Sequence, residues 1–198
     1  MYKPAWRGLG ALLLALALAG CGTPQPSFHN TDITGSDCCK DFRLTDHHGR
    51  TRTLEDFRGK AVVIFFGYTQ CPDVCPTTMA ELKSAMQELG SDAQRVQVLF
   101  VTLDPERDTR ELLANYVPAF DPSFLGLYGD LDTTARTAKE FRVFYQKKAG
   151  PTPGSYTLDH TAGSYVFDAQ GRVRLFARYG GDGGANLVAD LRTLLRQG

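Results

Sequence analysis

The stretch Ala61–Leu82, AVVIFFGYTQCPDVCPTTMAEL, limits the fold more than any other part of the chain. It opens on a continuous apolar run, Ala61–Phe66, rich in β-branched and aromatic side chains. Such a run suits a strand buried on both faces, as in a parallel or mixed sheet covered by helices. Gly67 and Pro72 interrupt it, and Cys71 and Cys75 stand with three residues between them. Pro76 suits the first position of a helix, where its missing N–H costs nothing. Met79, Leu82, Met86 and Leu89 then recur as a helical apolar stripe. The two cysteines are therefore expected in a tight turn between a buried strand and a helix N-terminus. There the helix dipole and free N–H groups are expected to favour the thiolate, that of Cys75 above all. Thiolates bind metals and attack disulfides, which makes this a reactive site and not a structural staple.

Upstream lies a basic start, Lys3 and Arg7, and an apolar run from Leu9 to Ala19. The run is short for a bilayer-spanning helix, and its flanks suit a secretory signal. It ends at Leu18-Ala19-Gly20-Cys21, which resembles the lipobox of bacterial lipoproteins, where the cysteine is lipidated and becomes the new N-terminus. The alternatives are an ordinary signal peptide with a chance cysteine, or an uncleaved membrane anchor. A diacylated Cys21 implies stable attachment to a membrane of the bacterial cell envelope, with the domain facing the periplasm or another extracytoplasmic space. Gly22, not Asp, follows the cysteine, which points weakly away from inner-membrane retention. The expected division is a signal peptide over 1–20, a lipidated N-terminus and flexible tether over 21–40, and one domain over 41–198. Pro24, Pro26 and Ser27, with little apolar content around them, carry the tether reading. Removing the signal leaves 198 − 20 = 178 residues, enough for one domain with a proper core. With 22 Lys and Arg against 22 Asp and Glu, and no basic block, nothing points to nucleic acid.

After Cys21 only Cys38, Cys39, Cys71 and Cys75 remain. Export favours disulfides, but four cysteines do not make a disulfide scaffold, so these thiols are candidates for chemistry. Adjacent cysteines bond to each other only through a strained eight-membered ring, so Cys38 and Cys39 are not expected as a stable structural disulfide. They either fill positions before the first strand, the simpler expectation, or form an accessory pair that relays electrons or metal.

Phe42–Thr45 and Arg50–Leu54 flank Asp46-His47-His48-Gly49, a short β-hairpin with both histidines expected exposed at the turn. Arg95–Leu103 is a second buried strand. Asp108, with Glu111 three residues on, is expected as the cap of a helix running to about Tyr116. Asp104 falls at the carboxyl end of its strand, where sites in open α/β sheets are found. Phe124–Tyr128 reads as a short strand or extended loop, Asp132–Phe141 as a helix capped by Asp132, and Gly150–Gly154 as a break. Strands over Ala162–Phe167 and Val173–Ala177 and a helix over Ala185–Leu195 close the chain. Hairpin, β-α-β-α, then β-β-α is the thioredoxin-like layout: an α/β fold with an N-terminal β-hairpin and a central mixed sheet flanked by helices.

Three ordered blocks on that layout carry a resemblance. Phe65–Thr78 (FFGYTQCPDVCPTT) is similar to the signature of the Sco/SenC copper-binding proteins, and Thr102–Thr109 (TLDPERDT) and Asp159-His160-Thr161 resemble two further blocks of that family. The resemblance covers about Asp41 to Gly198 and leaves Cys38 and Cys39 outside. It implies a copper site made of Cys71, Cys75 and His160, and a role in supplying copper to, or preparing the thiols of, the dinuclear copper centre in the copper-bearing subunit of cytochrome c oxidase, the alternative partner being another periplasmic copper or thiol protein. A carrier of this kind is not a turnover enzyme. Two soft thiolates suit Cu(I), and a nitrogen donor lets the same site hold Cu(II), although zinc also accepts such a set. Dithiol enzymes of this fold usually set a cis-proline opposite the cysteines, where this chain has Asp159-His160-Thr161. Asp159 is expected either to orient the imidazole or to serve as surface charge. Asp104 either sits behind the cysteines or merely ends its strand. Met79, on the helix's apolar face, reads as core and not as a thioether ligand. The competing function is a membrane-tethered thiol–disulfide reductase, in which Cys71 and Cys75 form a disulfide in the oxidised state. A peroxide-reducing enzyme of the same fold is a third reading, for which no activating arginine or glutamine constellation can be placed.

Overall fold

The apolar run becomes the central strand of the structure, a computed structural model that describes residues 26–150 and 152–197. The signal, Cys21 and the first part of the expected tether lie outside those residues, as does Pro151. The described strands are β1 (Thr31–Asp32), β2 (Leu44–Asp46), β3 (Thr51–Arg52), β4 (Ala61–Gly67), β5 (Val96–Thr102), β6 (Leu125–Tyr128), β7 (Tyr145–Ala149), β8 (Tyr156–His160), β9 (Ser164–Phe167) and β10 (Val173–Ala177). The helices are α1 (Val74–Leu89), α2 (Arg110–Tyr116), α3 (Leu131–Glu140) and α4 (Gly183–Leu195).

Eight strands form one mixed sheet in the order β1-β10-β9-β4-β5-β6-β2-β3. Strands β4, β5 and β6 are parallel, which requires crossovers, and α1 and α2 supply them. Strands β9 and β10 return antiparallel beside β4, and β2 pairs antiparallel with β6. All seven residues of β4 are buried, as its unbroken apolar sequence requires. Side chains alternate across the sheet. Phe65 and Phe100 face one side, toward Cys75, Tyr116 of α2 and Tyr179 before α4. Phe66 faces the other, against Phe141 at the end of α3 and Tyr165. Gly90, at φ +61°, ends α1 in a conformation that favours glycine.

Five local expectations are corrected. Helix α1 begins at Val74, with Asp73 at the N-cap position but its side chain making no capping hydrogen bond, so Pro76 is its third residue; first-turn N–H groups lack intrahelical partners there too, so the proline is tolerated. Thr109, not Asp108, caps α2 and accepts from the Leu112 N–H, while Asp130, not Asp132, caps α3 and accepts from the Thr133 N–H. His47 is not exposed: it is 4% accessible, and its Nδ1 accepts the Gly126 N–H at 3.0 Å because β2 pairs with β6 and carries the turn inward. His48 is exposed as expected. Finally, the chain is held to the domain well before residue 40. Strand β1 pairs with β10, and the His29 and Asn30 N–H groups donate to the buried Asp190 carboxylate at 2.8 and 2.9 Å. These anchors are polar and backbone-borne, so they leave no apolar pattern to read.

Strands β7 and β8 pair only with each other, in a two-stranded ribbon outside the main sheet. The Gly150–Gly154 break is its turn. The ribbon was not expected as such, because β7 exposes nearly all its side chains and shows no alternation. It nonetheless carries the third element of the site.

Candidate metal centre

Each donor comes from a different piece of backbone. Cys71 lies in the loop after β4, Cys75 is the second residue of α1, and His160 ends β8. Their sulfur and nitrogen atoms all lie within 4.8 Å of one another, and among the described residues no other such group of His, Cys, Asp and Glu occurs. Cys75 Sγ is 3.5 Å from His160 Nε2. His160 Nδ1 lies 3.0 Å from the Thr161 carbonyl oxygen; a carbonyl can only accept, so Nδ1 carries the proton and the Nε2 lone pair faces the sulfur. Cys71 and His160 border an open groove of ≈ 360 Å³, lined also by Tyr68, Pro72 and Val74, and Cys75 lies buried behind it.

The electrostatics differ from the expectation for Cys75. It is fully buried, and that burial pushes its thiol well up; a hydrogen bond from the Tyr68 backbone works against this, and the neighbouring Cys71 adds to the rise. The helix terminus serves the other cysteine, since the Cys75 N–H points at Cys71 Sγ over 3.4 Å. Without metal, Cys75 is thus a protonated thiol, contrary to the thiolate expected from its place at the helix start. Burial also lowers the His160 imidazole below its ordinary value, against the Thr161 carbonyl and Asp159, so the ring is held neutral, the form that ligates metals.

The residues proposed to stand behind the site divide. Asp159 is exposed, with its carboxylate 3.8 Å from Lys148 Nζ, and the Thr161 carbonyl orients the imidazole in its place. Asp104 is buried but does not touch the cysteines. It accepts from Arg107 Nε and, at 2.8 Å, from the Tyr156 hydroxyl, and so ties the ribbon to the end of β5. Met79 is fully buried in the core, as expected.

Two residues have a place at the site that the sequence does not show, Tyr68 and Asp108, the latter expected only as a helix cap. The Tyr68 hydroxyl accepts the Leu158 N–H at 3.1 Å, and its ring meets His160 edge-on at 6.0 Å. Asp108 is buried and accepts from the Thr69 N–H at 3.0 Å, from Thr69 Oγ1 at 2.6 Å and from Thr102 Oγ1 at 2.6 Å, fastening the cysteine loop to the end of β5. A carboxylate 39 residues from its partner in the chain gives no sequence signal of that contact.

Comparison with known proteins agrees with this geometry. The SCO1/SenC family model matches residues 30–196. The mitochondrial SCO2 homologue of Bos taurus is 39% identical over 141 residues, covering 70% of this chain and 52% of that protein. The chain spans about half the length of the first curated relatives it matches. Among solved structures, copper-bound ScoI of Bradyrhizobium japonicum superposes with a TM-score of 0.71 at 39% identity, over 78% of this chain and 98% of the other. Apo Sco1 from Thermus thermophilus gives 0.73 at 42%, over 88% and 100%.

Proposed function

The chain belongs to the SCO1/SenC family, and on that premise we propose that it carries copper, held by Cys71 Sγ, Cys75 Sγ and His160 Nε2, to the dinuclear copper centre of cytochrome c oxidase. The observation that carries the reading is the convergence of these three atoms within 4.8 Å from three separate elements. The donor set fits the cargo: two sulfurs suit Cu(I), and the neutral imidazole adds the nitrogen that Cu(II) requires. Three protein donors, of which Cys71 and His160 line an open groove, leave room for an incoming ligand, as a carrier that hands on its metal needs. Because Cys75 is a thiol when free, loading copper expels its proton, so affinity rises with pH. A copper-bound relative at 39% identity supports the assignment.

The test is titration of the reduced full chain with Cu(I) and Cu(II), beside His160→Ala and Cys71→Ala. The expected result is a one-to-one complex with a thiolate-to-copper charge-transfer band that both variants lose. Binding indifferent to His160, with a readily cycled Cys71–Cys75 disulfide, would make thiol–disulfide exchange the main function. That second reading has a footing in the structure, since the two sulfurs lie within the same 4.8 Å cluster.

We further infer attachment to the bacterial cell envelope through a lipidated Cys21, on the extracytoplasmic side. The basic start, apolar run and Leu18-Ala19-Gly20-Cys21 support this, and no helix among the described residues is long and apolar enough to cross a membrane. Metabolic labelling with a fatty-acid probe should mark the wild-type chain and not Cys21→Ala.

A further inference from the structure

Cys38 and Cys39 are the cysteines for which copper binding has no use. They lie across the sheet from the copper ligands. The Cys39 N–H donates to the Glu140 carbonyl at the end of α3 over 3.1 Å, and the pair neighbours Tyr165 on the Phe66 and Phe141 side. Cys75 faces Phe65 and Gly67 on the other side. A direct relay between the two pairs within one molecule is therefore blocked by β4.

Core filling does not account for their geometry. In an extended chain neighbouring side chains point opposite ways, so filling one apolar face needs only one of them. Here both are buried, at 8% and 1% accessible, and their sulfurs lie directly against each other. What brings them together is Cys39 at φ +60°, a left-handed conformation unfavourable for a side-chain-bearing residue. The only other non-glycine residue described at positive φ is Arg142, and the Arg142 guanidinium reaches back to the Asp37 carbonyl at 3.5 Å. Two strained turns are thus docked on each other around the sulfur pair. A groove of ≈ 430 Å³, lined by Cys38, Cys39, Lys40 and Arg172 among others, opens onto the pair from solvent.

We infer that Cys38 and Cys39 form a second, independent redox site, which exchanges with thiol–disulfide partners by closing to a vicinal disulfide. The more accessible Cys38 attacks one sulfur of the partner disulfide as thiolate, forming a mixed disulfide and releasing the first partner thiolate. Cys39 then loses its proton and attacks the Cys38 sulfur, displacing the second. Both cysteines lose a proton, the pair gives up two electrons, and the partner disulfide leaves as two thiols. Burial, then the adjacent Cys38, push the Cys39 thiol up, which leaves the first attack to Cys38. The strain of the eight-membered ring makes the closed form readily reducible, as exchange in both directions requires. The inference does not depend on copper binding.

The test uses the full chain carrying Cys71→Ser and Cys75→Ser, incubated folded with oxidised glutathione, alkylated, and cleaved before aspartate to release Asp37–Lys40. That peptide should be lighter by two hydrogens and take no alkyl group, and take two after dithiothreitol. With Cys39→Ser added, a glutathione adduct should persist on Cys38. Two alkylated thiols after prolonged oxidation, or a stable adduct on Cys38 while Cys39 is intact, would overturn the proposal.

Discussion

The Arg107 guanidinium carbon lies 3.5 Å from the centre of the Tyr156 ring, and Arg107 Nη1 donates to the Tyr156 carbonyl at 2.9 Å. With Asp104 receiving both Arg107 Nε and the Tyr156 hydroxyl, the three residues clasp the β7–β8 ribbon to the loop that follows β5. Lys147 adds an ion pair with Glu106 and lies over the same ring. Since the ribbon has no strand partner in the main sheet, the clasp and the Tyr68–Leu158 hydrogen bond set the height of His160 above the cysteines.

Tyr156→Ala should therefore weaken Cu(II) binding without touching a ligand. Loss of a group that orients a metal ligand costs roughly ten- to a hundredfold in affinity. Tyr156→Phe, which keeps the stack and loses only the hydroxyl, should fall between wild type and Ala. Equal Cu(II) dissociation constants for all three proteins would remove the clasp from the account.

Asp108 predicts a stability effect. Asp108→Ala leaves the Thr69 N–H, the Thr69 hydroxyl and the Thr102 hydroxyl without their acceptor, and the buried Thr102 hydroxyl alone, left unsatisfied, costs about 1–3 kcal/mol, the half-buried Thr69 groups less. Burial raises the Asp108 carboxyl above its ordinary value, against the hydrogen bonds from Thr102 and Thr69. Asp108→Asn keeps an acceptor without the buried charge and should stay much nearer wild type. Urea unfolding decides between them, and an Asn variant as weak as Ala would mean that the charge itself is needed.

His47 makes a pH-dependent contribution. Burial, and then neighbouring His48, lower its imidazole from the ordinary 6.5, and Nδ1 needs its lone pair for the Gly126 N–H. The folded state therefore binds the proton less well than the unfolded chain. Its contribution is complete above pH 6.5 and is lost as pH falls through the folded value. His47→Gln can offer an oxygen acceptor that does not titrate. The melting temperature of wild type should drop more than that of the variant between about pH 6.5 and 5; parallel curves would count against a titrating His47.

Gly67 ends β4 where a Cβ would stand 2.9 Å from Cys75 Sγ and 3.1 Å from both Phe65 and Phe100. Gly67→Ala should displace the ligand sulfur and, as overpacking in a filled core does, cost about 1–3 kcal/mol. The check pairs a thermal melt with Cu(I) titration. Unchanged copper affinity despite a lower melting temperature would show that Cys75 shifts without penalty to the site.

The parts legible in the sequence were those written in local pattern. The apolar run of β4, the apolar stripe of α1 and the strand over Val173–Ala177 all stand where their sequences put them. The thioredoxin-like layout followed from the order of the elements, and the Sco/SenC resemblance from the blocks Phe65–Thr78, Thr102–Thr109 and Asp159–Thr161. What was not legible depended on contacts between distant segments. The β7–β8 ribbon is exposed and stapled by side chains, so it lacks the alternation of a half-buried strand. Asp108 was assigned a local cap because Glu111 follows it, yet Thr109 caps the helix and Asp108 reaches Thr69. Cys75 was assigned a favoured thiolate from its neighbourhood in sequence, whereas its depth in the fold governs its proton.

The eight-stranded sheet ends at β1 on one side and β3 on the other, each only two residues long. So short a rim presents too few free backbone groups for another chain to add a strand. Under the proposed role, a copper-receiving partner would meet the groove between Cys71 and His160 side chain to side chain and not by lengthening the main sheet, and the longer free strand edges belong to the five-residue strands of the β7–β8 ribbon that carries His160.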